Sequence, residues 1–182
     1  MTRRLSRLAL VVLAPFVAPS CLVTAKQDFP APPQTPPFLS ASAATPSLQH
    51  LRVLASGTEA VDFSTIVRSE DDGVNLEARL IVDDIFADKP LLLHSAIVAA
   101  STFGDTGRQI SLRFDPAVPP ETRGSVTPGC HRFTLLVSHA FVKLSNQPQS
   151  DGDQDFLVWW VVQGNPKDTA FAEKVVAAGC GP

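Results

Sequence analysis

Histidines are the first side chains in this chain that could do acid–base or metal chemistry. The chain has four of them: His50, His94, His131 and His139. No nucleophile or metal motif accompanies them, because the sequence contains no G-x-S-x-G, H-E-x-x-H or P-loop pattern. His131 and His139 fall on one predicted strand, which at about 3.3 Å per residue puts them about 26 Å apart. They cannot share a proton or a metal ion, so we interpret them as histidines at the two ends of a core face, where they are hydrogen-bonded or at the edge of the core. We therefore predict no catalytic residue.

Alternating carboxylates are the second candidate, with the chemistry of a hard-cation site. Three aspartates have the spacing of a calcium loop: Asp151, Asp153 and Asp155. An EF-hand loop needs glycine at position six and glutamate at position twelve, where this chain has Phe156 and Val162. We therefore interpret these metal candidates as a solvated connection between two strands. The acidic residues 70–72 could join them only if folding brought the two turns together, and we predict no cofactor.

Adjacent tryptophans are the third candidate. Consecutive strand residues point to opposite faces, so one of Trp159 and Trp160 faces the core and the other could stack on a sugar or a peptide. Trp159 is our ligand-binding candidate, with burial beneath a C-terminal helix as the favoured alternative. The chain has no tyrosine, and because binding surfaces use tyrosine as well as tryptophan, this argues against a recognition role.

The N-terminus has the order of a secretory signal peptide, which we assign to residues 1–20. Arg3, Arg4 and Arg7 precede an apolar run over 8–18, and small residues lead into Cys21. Eleven apolar residues are too few to span a bilayer, which takes about 20. The residues before Cys21 resemble the cleavage site of bacterial lipoproteins. That resemblance implies lipidation of Cys21 and a lipid-anchored protein of the cell envelope, with the membrane as its partner.

A second cleavage site leaves another outcome open. Pro19 stands where lipoproteins have a small or aliphatic residue, and Val23-Thr24-Ala25 is an A-x-A-like triplet. Cleavage there would release a soluble secreted protein that begins at Lys26. Either route leaves two further cysteines in an exported chain, so we predict a disulfide between Cys130 and Cys180.

Composition divides the rest of the chain into a tether and one domain. Residues 21–48 contain six prolines and two charged residues, which predicts a disordered, extended tether. From about residue 49 to 182, β-branched and aromatic runs alternate with turn clusters, which predicts one folded domain. Residues 115–129, with four prolines, are predicted to form a long loop or an edge segment.

Hydrophobic periodicity predicts six strands in that domain. They span residues 61–67, 74–82, 91–100, 109–114, 131–139 and 156–162. The clearest alternation is over 74–82, where only Ile81 interrupts the polar face. The run over 156–162 is apolar on both faces, which indicates a central strand covered on both sides. Pro166 and Gly179 delimit a predicted helix over 166–178, which the disulfide would clamp over that strand.

Six short strands separated by turns resemble the layout of bacterial envelope lipoproteins with one immunoglobulin-like domain. The resemblance covers residues 50–163 and rests on the strand count, on the Cys130-His131-Arg132-Phe133 strand and on the final aromatic strand. It implies an all-β, immunoglobulin-like β-sandwich of about six to eight short strands with a short C-terminal helix.

Charge and composition exclude some functions and leave others open. Apolar residues make up 45% and charged residues 18%, which is enough for a core. A net charge of −3 without a basic stripe excludes nucleic acid as a partner. We expect a non-enzymatic envelope lipoprotein that acts as a structural or interaction module, with an unidentified protein or glycan partner. A carbohydrate- or peptide-binding module is the alternative, and a secreted hydrolase is the third.

Overall fold

Eight strands form two sheets in the computed structural model, which describes residues 34–54, 59–83, 91–102, 107–118, 126–143 and 145–164, and Cys180. The strands are β1 (Phe38–Leu39), β2 (Arg52–Leu54), β3 (Val61–Arg68), β4 (Leu76–Val82), β5 (Leu91–Val98), β6 (Arg108–Phe114), β7 (Gly129–Ser138) and β8 (Asp155–Gln163). The helix predicted over 166–178, the signal peptide and Cys21 lie outside these residues. Within them, no helix has the length and apolar character needed to cross a membrane.

Sheet topology confirms the predicted all-β sandwich. The small sheet has the order β1-β3-β6, and the large sheet has the order β2-β8-β7-β4-β5. All pairs are antiparallel except β2 and β8, which run parallel. In immunoglobulin lettering, β3 and β6 take the places of strands B and E. The strands β4, β5, β7 and β8 take the places of C, C′, F and G.

Alternation along the strands builds the core between the sheets. On β3, the buried residues Val61, Phe63, Thr65 and Val67 alternate with more exposed ones. Phe63 is fully buried, and its ring centroid lies 5.1 Å from those of Phe133 on β7 and Trp159 on β8. Aromatic rings at this spacing add attraction beyond the area that they bury.

The outer face of the large sheet carries a second, smaller apolar cluster. Ile81 and Leu136 are buried there with Phe141, which follows β7. The Arg79 guanidinium lies 4.3 Å from the Phe141 ring centroid and donates to the Ser145 carbonyl oxygen at 2.6 Å. The chain after β7 therefore folds back over this face. This explains why Ile81 interrupts an otherwise polar alternation.

Residues 34–51, which we call the N-terminal strap, correct the predicted extent of the tether. β1 pairs with β3, so the chain from Phe38 onward already belongs to the folded domain, which was predicted to begin near residue 49. Leu39 is buried, and its N–H donates to Asp155 Oδ2 at 2.7 Å. The Trp159 indole N–H donates to the Pro46 carbonyl oxygen at 2.6 Å. Proline lacks an N–H but keeps its carbonyl, so a proline-rich segment still accepts hydrogen bonds from a domain.

Candidate functional site

A buried polar cluster at the end of β7 contains side-chain types that are used in catalysis. Ser138 ends this strand, His139 directly follows it, and Asp153 comes from the turn before β8. Ser138 is fully buried and Asp153 is 4% exposed. The Asp153 carboxylate accepts from His139 Nδ1 at 2.7 Å, from the His139 backbone N–H at 3.2 Å and from Ser138 Oγ at 3.1 Å. This aspartate therefore holds the end of β7 and the β7–β8 turn together.

The acidic turn between β3 and β4 reaches the same cluster. Asp71 Oδ2 lies 3.2 Å from His139 Nε2, without the alignment of a hydrogen bond, and the His139 side chain is only 3% exposed. The same Asp71 oxygen accepts from the Thr35 backbone N–H at 2.8 Å. Folding thus brings the two acidic turns together through His139, and it attaches the start of the N-terminal strap to them.

This arrangement lacks the geometry of a nucleophile and its base. In a catalytic triad the imidazole lies between the hydroxyl and the carboxylate and accepts the hydroxyl proton. Here the Asp153 carboxylate is central, and the Ser138 hydroxyl is shared between Asp153 and the Ala140 carbonyl oxygen at 3.0 Å. A fully buried hydroxyl is also out of reach of a substrate. The cluster thus links the end of β7 to the turn before β8 through hydrogen bonds that are buried in the fold.

The predicted metal candidates diverge in the structure. Asp153 points to His139, whereas Asp155 accepts from Leu39 N–H in the strap, and Asp151 is exposed. Among the residues that the structure describes, no group of three or more His, Cys, Asp or Glu side chains could hold a metal ion. The alternating spacing therefore serves two separate contacts between elements.

The other end of β7 carries a second histidine contact. His131 Nδ1 lies 2.9 Å from Asp83 Oδ2, and His131 Nε2 lies 2.6 Å from the Thr127 carbonyl oxygen. The His131 side chain is 9% exposed and the Asp83 side chain 53%. Asp83 follows β4 in the left-handed backbone conformation, with φ at 64°. Aspartate tolerates this region better than most residues.

The charges of this pair favour the ionised form of each partner. Burial lowers the pKa of His131, but its hydrogen bonds to Asp83 and to Thr127, with the negative charge of Asp83, outweigh burial and raise the pKa above 6.5. Burial raises the pKa of Asp83, but the hydrogen bonds from His131 and the Arg132 backbone, with both positive charges, lower it below 3.8. The two shifts describe one ion pair.

A cleft of about 270 Å³ lies between β5 and β6. It is lined by Leu93, His94, Arg113, Phe114, Asp115 and Val118. This cleft combines a histidine with a carboxylate, yet no serine is among the lining residues in the described part of the chain. Arg113 is shared between Asp62 at 3.5 Å and Asp115 at 4.0 Å. Among the described residues, the groups for a serine hydrolase are therefore not assembled at this cleft.

Trp159, our ligand-binding candidate, is the tryptophan that faces the core. It is 1% exposed, so its ring is not available to a ligand. Trp160 lies on the outer face of the large sheet, opposite Arg132 on β7, and is half-buried. Adjacent residues on a strand point to opposite faces of the sheet, so one tryptophan faces the core and the other faces outward. The sequence alone does not indicate which of the two faces the core.

The predicted disulfide is confirmed. Cys130 and Cys180 are bonded, and their Cα atoms are 5.7 Å apart. Cys130 lies opposite Val162 on β8, and the next pair along the strands is His131 and Val161, whose side chains point into the core. Neighbouring residues on a strand point to opposite faces, so the disulfide lies on the outer face of the large sheet. The two cysteines are 50 positions apart in the sequence. In the entropic model, closing a loop of that length raises the free energy of the unfolded chain by about 4 kcal/mol and so stabilises the fold.

No known family model matches this chain. No curated protein matches it either.

Proposed function

We propose that this chain is an exported, lipid-anchored protein of the cell envelope whose β-sandwich acts as a structural or interaction module rather than as an enzyme. The observation that carries this proposal is the Cys130–Cys180 disulfide. Disulfides persist in oxidising compartments and are rare in the cytosol. The disulfide therefore supports the export that the signal-like segment before Cys21 indicates.

The polar side chains support a non-catalytic role. The cluster of Ser138, His139 and Asp153 is buried and hydrogen-bonded within the fold, which is how structural polar groups are placed. Catalytic groups instead line a cleft that a substrate can enter. Residues after Cys21 and before Pro33 would connect a lipid-modified cysteine to the domain.

Mass spectrometry of the mature protein tests this proposal. We expect an N-terminal Cys21 that carries acyl chains, and a protein that sediments with membranes. Cys21→Ser should move it to the soluble fraction, because a lipid chain contributes about 0.8 kcal/mol per buried CH₂ to membrane binding. Ser20→Thr, which leaves the cysteine in place, is the matched control. An unmodified N-terminus at Lys26 would establish a soluble secreted protein instead.

One observation favours a peptide-binding module as the second candidate. A cleft of about 340 Å³ is lined by Thr35, Pro36, Phe38, Arg68, Ser69 and Glu70. The Phe38 ring is 59% exposed beside the Arg68 side chain, and both could contact an extended peptide. Binding of a random peptide library that is lost in Phe38→Ala and kept in Phe156→Ala would support this candidate.

A further inference from the structure

His131 holds two acceptors that a neutral imidazole cannot hold together. Asp83 Oδ2 lies 2.9 Å from Nδ1 and the Thr127 carbonyl oxygen lies 2.6 Å from Nε2. Neutral imidazole has one N–H and one lone pair, whereas imidazolium donates from both nitrogens. Loss of one proton would therefore set a lone pair against an oxygen at one of these two short contacts.

Asp83 connects this histidine to the end of β4. The Asp83 backbone N–H donates to the Arg132 carbonyl oxygen at 2.7 Å, and Oδ1 accepts from the Arg132 N–H at 3.1 Å. The Arg132 guanidinium also donates to the Asp83 carbonyl oxygen at 2.8 Å. The His131 side chain thus connects three parts of the chain. It belongs to the start of β7, it contacts Asp83 directly after the end of β4, and it contacts Thr127 in the residues before β7. We call Asp83, Thr127, His131 and Arg132 the β7 clasp.

Few other charges face the clasp from the described elements. Asp83, which directly follows β4, supplies a negative charge, and Arg132 on β7 supplies a positive charge. On β8 the residue opposite His131 is Val161, and Gln163 lies opposite Gly129; neither has a charge. Among the described residues, the imidazolium therefore faces one carboxylate, that of Asp83, and the Arg132 guanidinium donates to the Asp83 carbonyl oxygen.

The disulfide lies directly beside the clasp. Cys130 precedes His131 in β7 and is bonded to Cys180. Both cysteines are half-buried, so a reductant has limited access to the sulfur atoms. Local opening of strand ends controls access to such groups, because ends have fewer contacts than the core.

We infer that the β7 clasp is a proton-dependent device that shields the Cys130–Cys180 disulfide from reduction. With His131 protonated, the imidazolium donates to Asp83 and to Thr127, and the start of β7 stays closed. When His131 releases its proton to water, one of these contacts is lost and the start of β7 opens more often. The inference goes beyond the proposed function and does not depend on a lipid anchor.

The direction of the pH dependence follows from the charges. The pKa of His131 is raised in the folded protein above about 6.5, which is the pKa of histidine in an unfolded chain. Protonation therefore stabilises the closed form fully at pH values below about 6.5. This advantage is lost as pH rises through the raised pKa. Shielding should therefore be strongest in mild acid and weakest in mild alkali.

Reduction of the exported, disulfide-bonded chain by a phosphine tests this. The rate is measured from pH 5.5 to 9 and divided by the rate for oxidised glutathione at the same pH, which removes the pH dependence of the reagent. We expect the normalised rate to rise above pH 6.5, by about tenfold for each unit by which folding raises the pKa of His131. The midpoint should coincide with the titration of the His131 ring followed by NMR.

Variants decide between the clasp and a general effect of pH. His131→Gln should be reduced rapidly at every pH, whereas His50→Gln, at an exposed position of the strap, should follow the unaltered chain. Asp83→Asn keeps an oxygen acceptor without the charge, so it should move the midpoint to lower pH. A normalised rate that does not change with pH, a rise retained in His131→Gln, or an unmoved midpoint in Asp83→Asn would each overturn the inference. If His131→Gln does not fold, the Asp83→Asn midpoint decides.

Discussion

The Phe63 ring on β3 stacks on the Phe133 ring on β7 across the two sheets, with centroids 5.1 Å apart and planes 20° apart. In immunoglobulin domains a disulfide joins the corresponding strands B and F. Here Cys130 lies on β7 but on its outer face, where it is bonded to Cys180. The stacked pair thus joins the two sheets through β3 and β7, whereas the disulfide attaches Cys180 to the outer face of β7.

Removing one ring of this stacked pair should lower the free energy of unfolding more than removing an exposed aromatic side chain. Phe133 is fully buried, and its ring centroid lies 5.0 Å from that of Phe114, with the two ring planes 63° apart. We expect Phe133→Ala to lower the free energy of unfolding by about 3–5 kcal/mol, through lost burial and the cavity left behind. Urea unfolding measures this value. Phe156→Ala, at a side chain that is 52% exposed, should change it by less than about 1 kcal/mol, and equal effects would contradict the central role of the pair.

Long strands were predictable because their patterns are local. All six predicted strands are present, with ends that differ by a few residues. β1 and β2 have only two and three residues, too few to show a period, and they were missed. Leu39 is buried because β3 and Asp155 lie beside it, and no local pattern contains that information.

The polar cluster could be predicted only in part. From the sequence, Asp153 and the acidic residues 70–72 could form one site only if folding brought their two turns together. Folding does bring them together, because His139 contacts both Asp71 and Asp153. Asp71 and Asp153 are 82 positions apart, so their proximity depends on the order of strands in both sheets. Only the topology supplies that order.

Asp153 should be the residue of this cluster that tolerates substitution least. Asp153→Ala removes the acceptor of His139 Nδ1 and one of the two acceptors of Ser138 Oγ. Leaving a buried hydrogen-bond donor without its acceptor costs about 1–3 kcal/mol. We expect a loss of that size in denaturant unfolding. Asp151→Ala, at an exposed position of the same turn, is the control, and similar losses in both would show that the turn rather than the cluster is responsible.

Stability should depend on pH through the Asp83 and His131 pair. The raised pKa of His131 stabilises the fold below about 6.5, and this contribution is lost as pH rises through the raised value. The lowered pKa of Asp83 stabilises the fold above about 3.8, and this contribution is lost as pH falls through the lowered value. We expect the pair's contribution to be greatest between these limits. Urea unfolding from pH 3 to 9 should show this maximum in the unaltered chain and a flatter profile in His131→Gln.

The N-terminal strap should be required for a stable domain even though its composition is that of a linker. The strap adds β1 to the small sheet, buries Leu39 and supplies the Pro46 carbonyl oxygen to the Trp159 indole. A chain that begins at residue 34 should unfold at the same urea concentration as one that begins at residue 22. A chain that begins at residue 49 should lose several kcal/mol, since burying one leucine contributes about 1.5–3 kcal/mol and each hydrogen bond about 1 kcal/mol. Equal midpoints for the chains that begin at 34 and 49 would show that the strap contributes nothing and that residue 49 is the start of the domain.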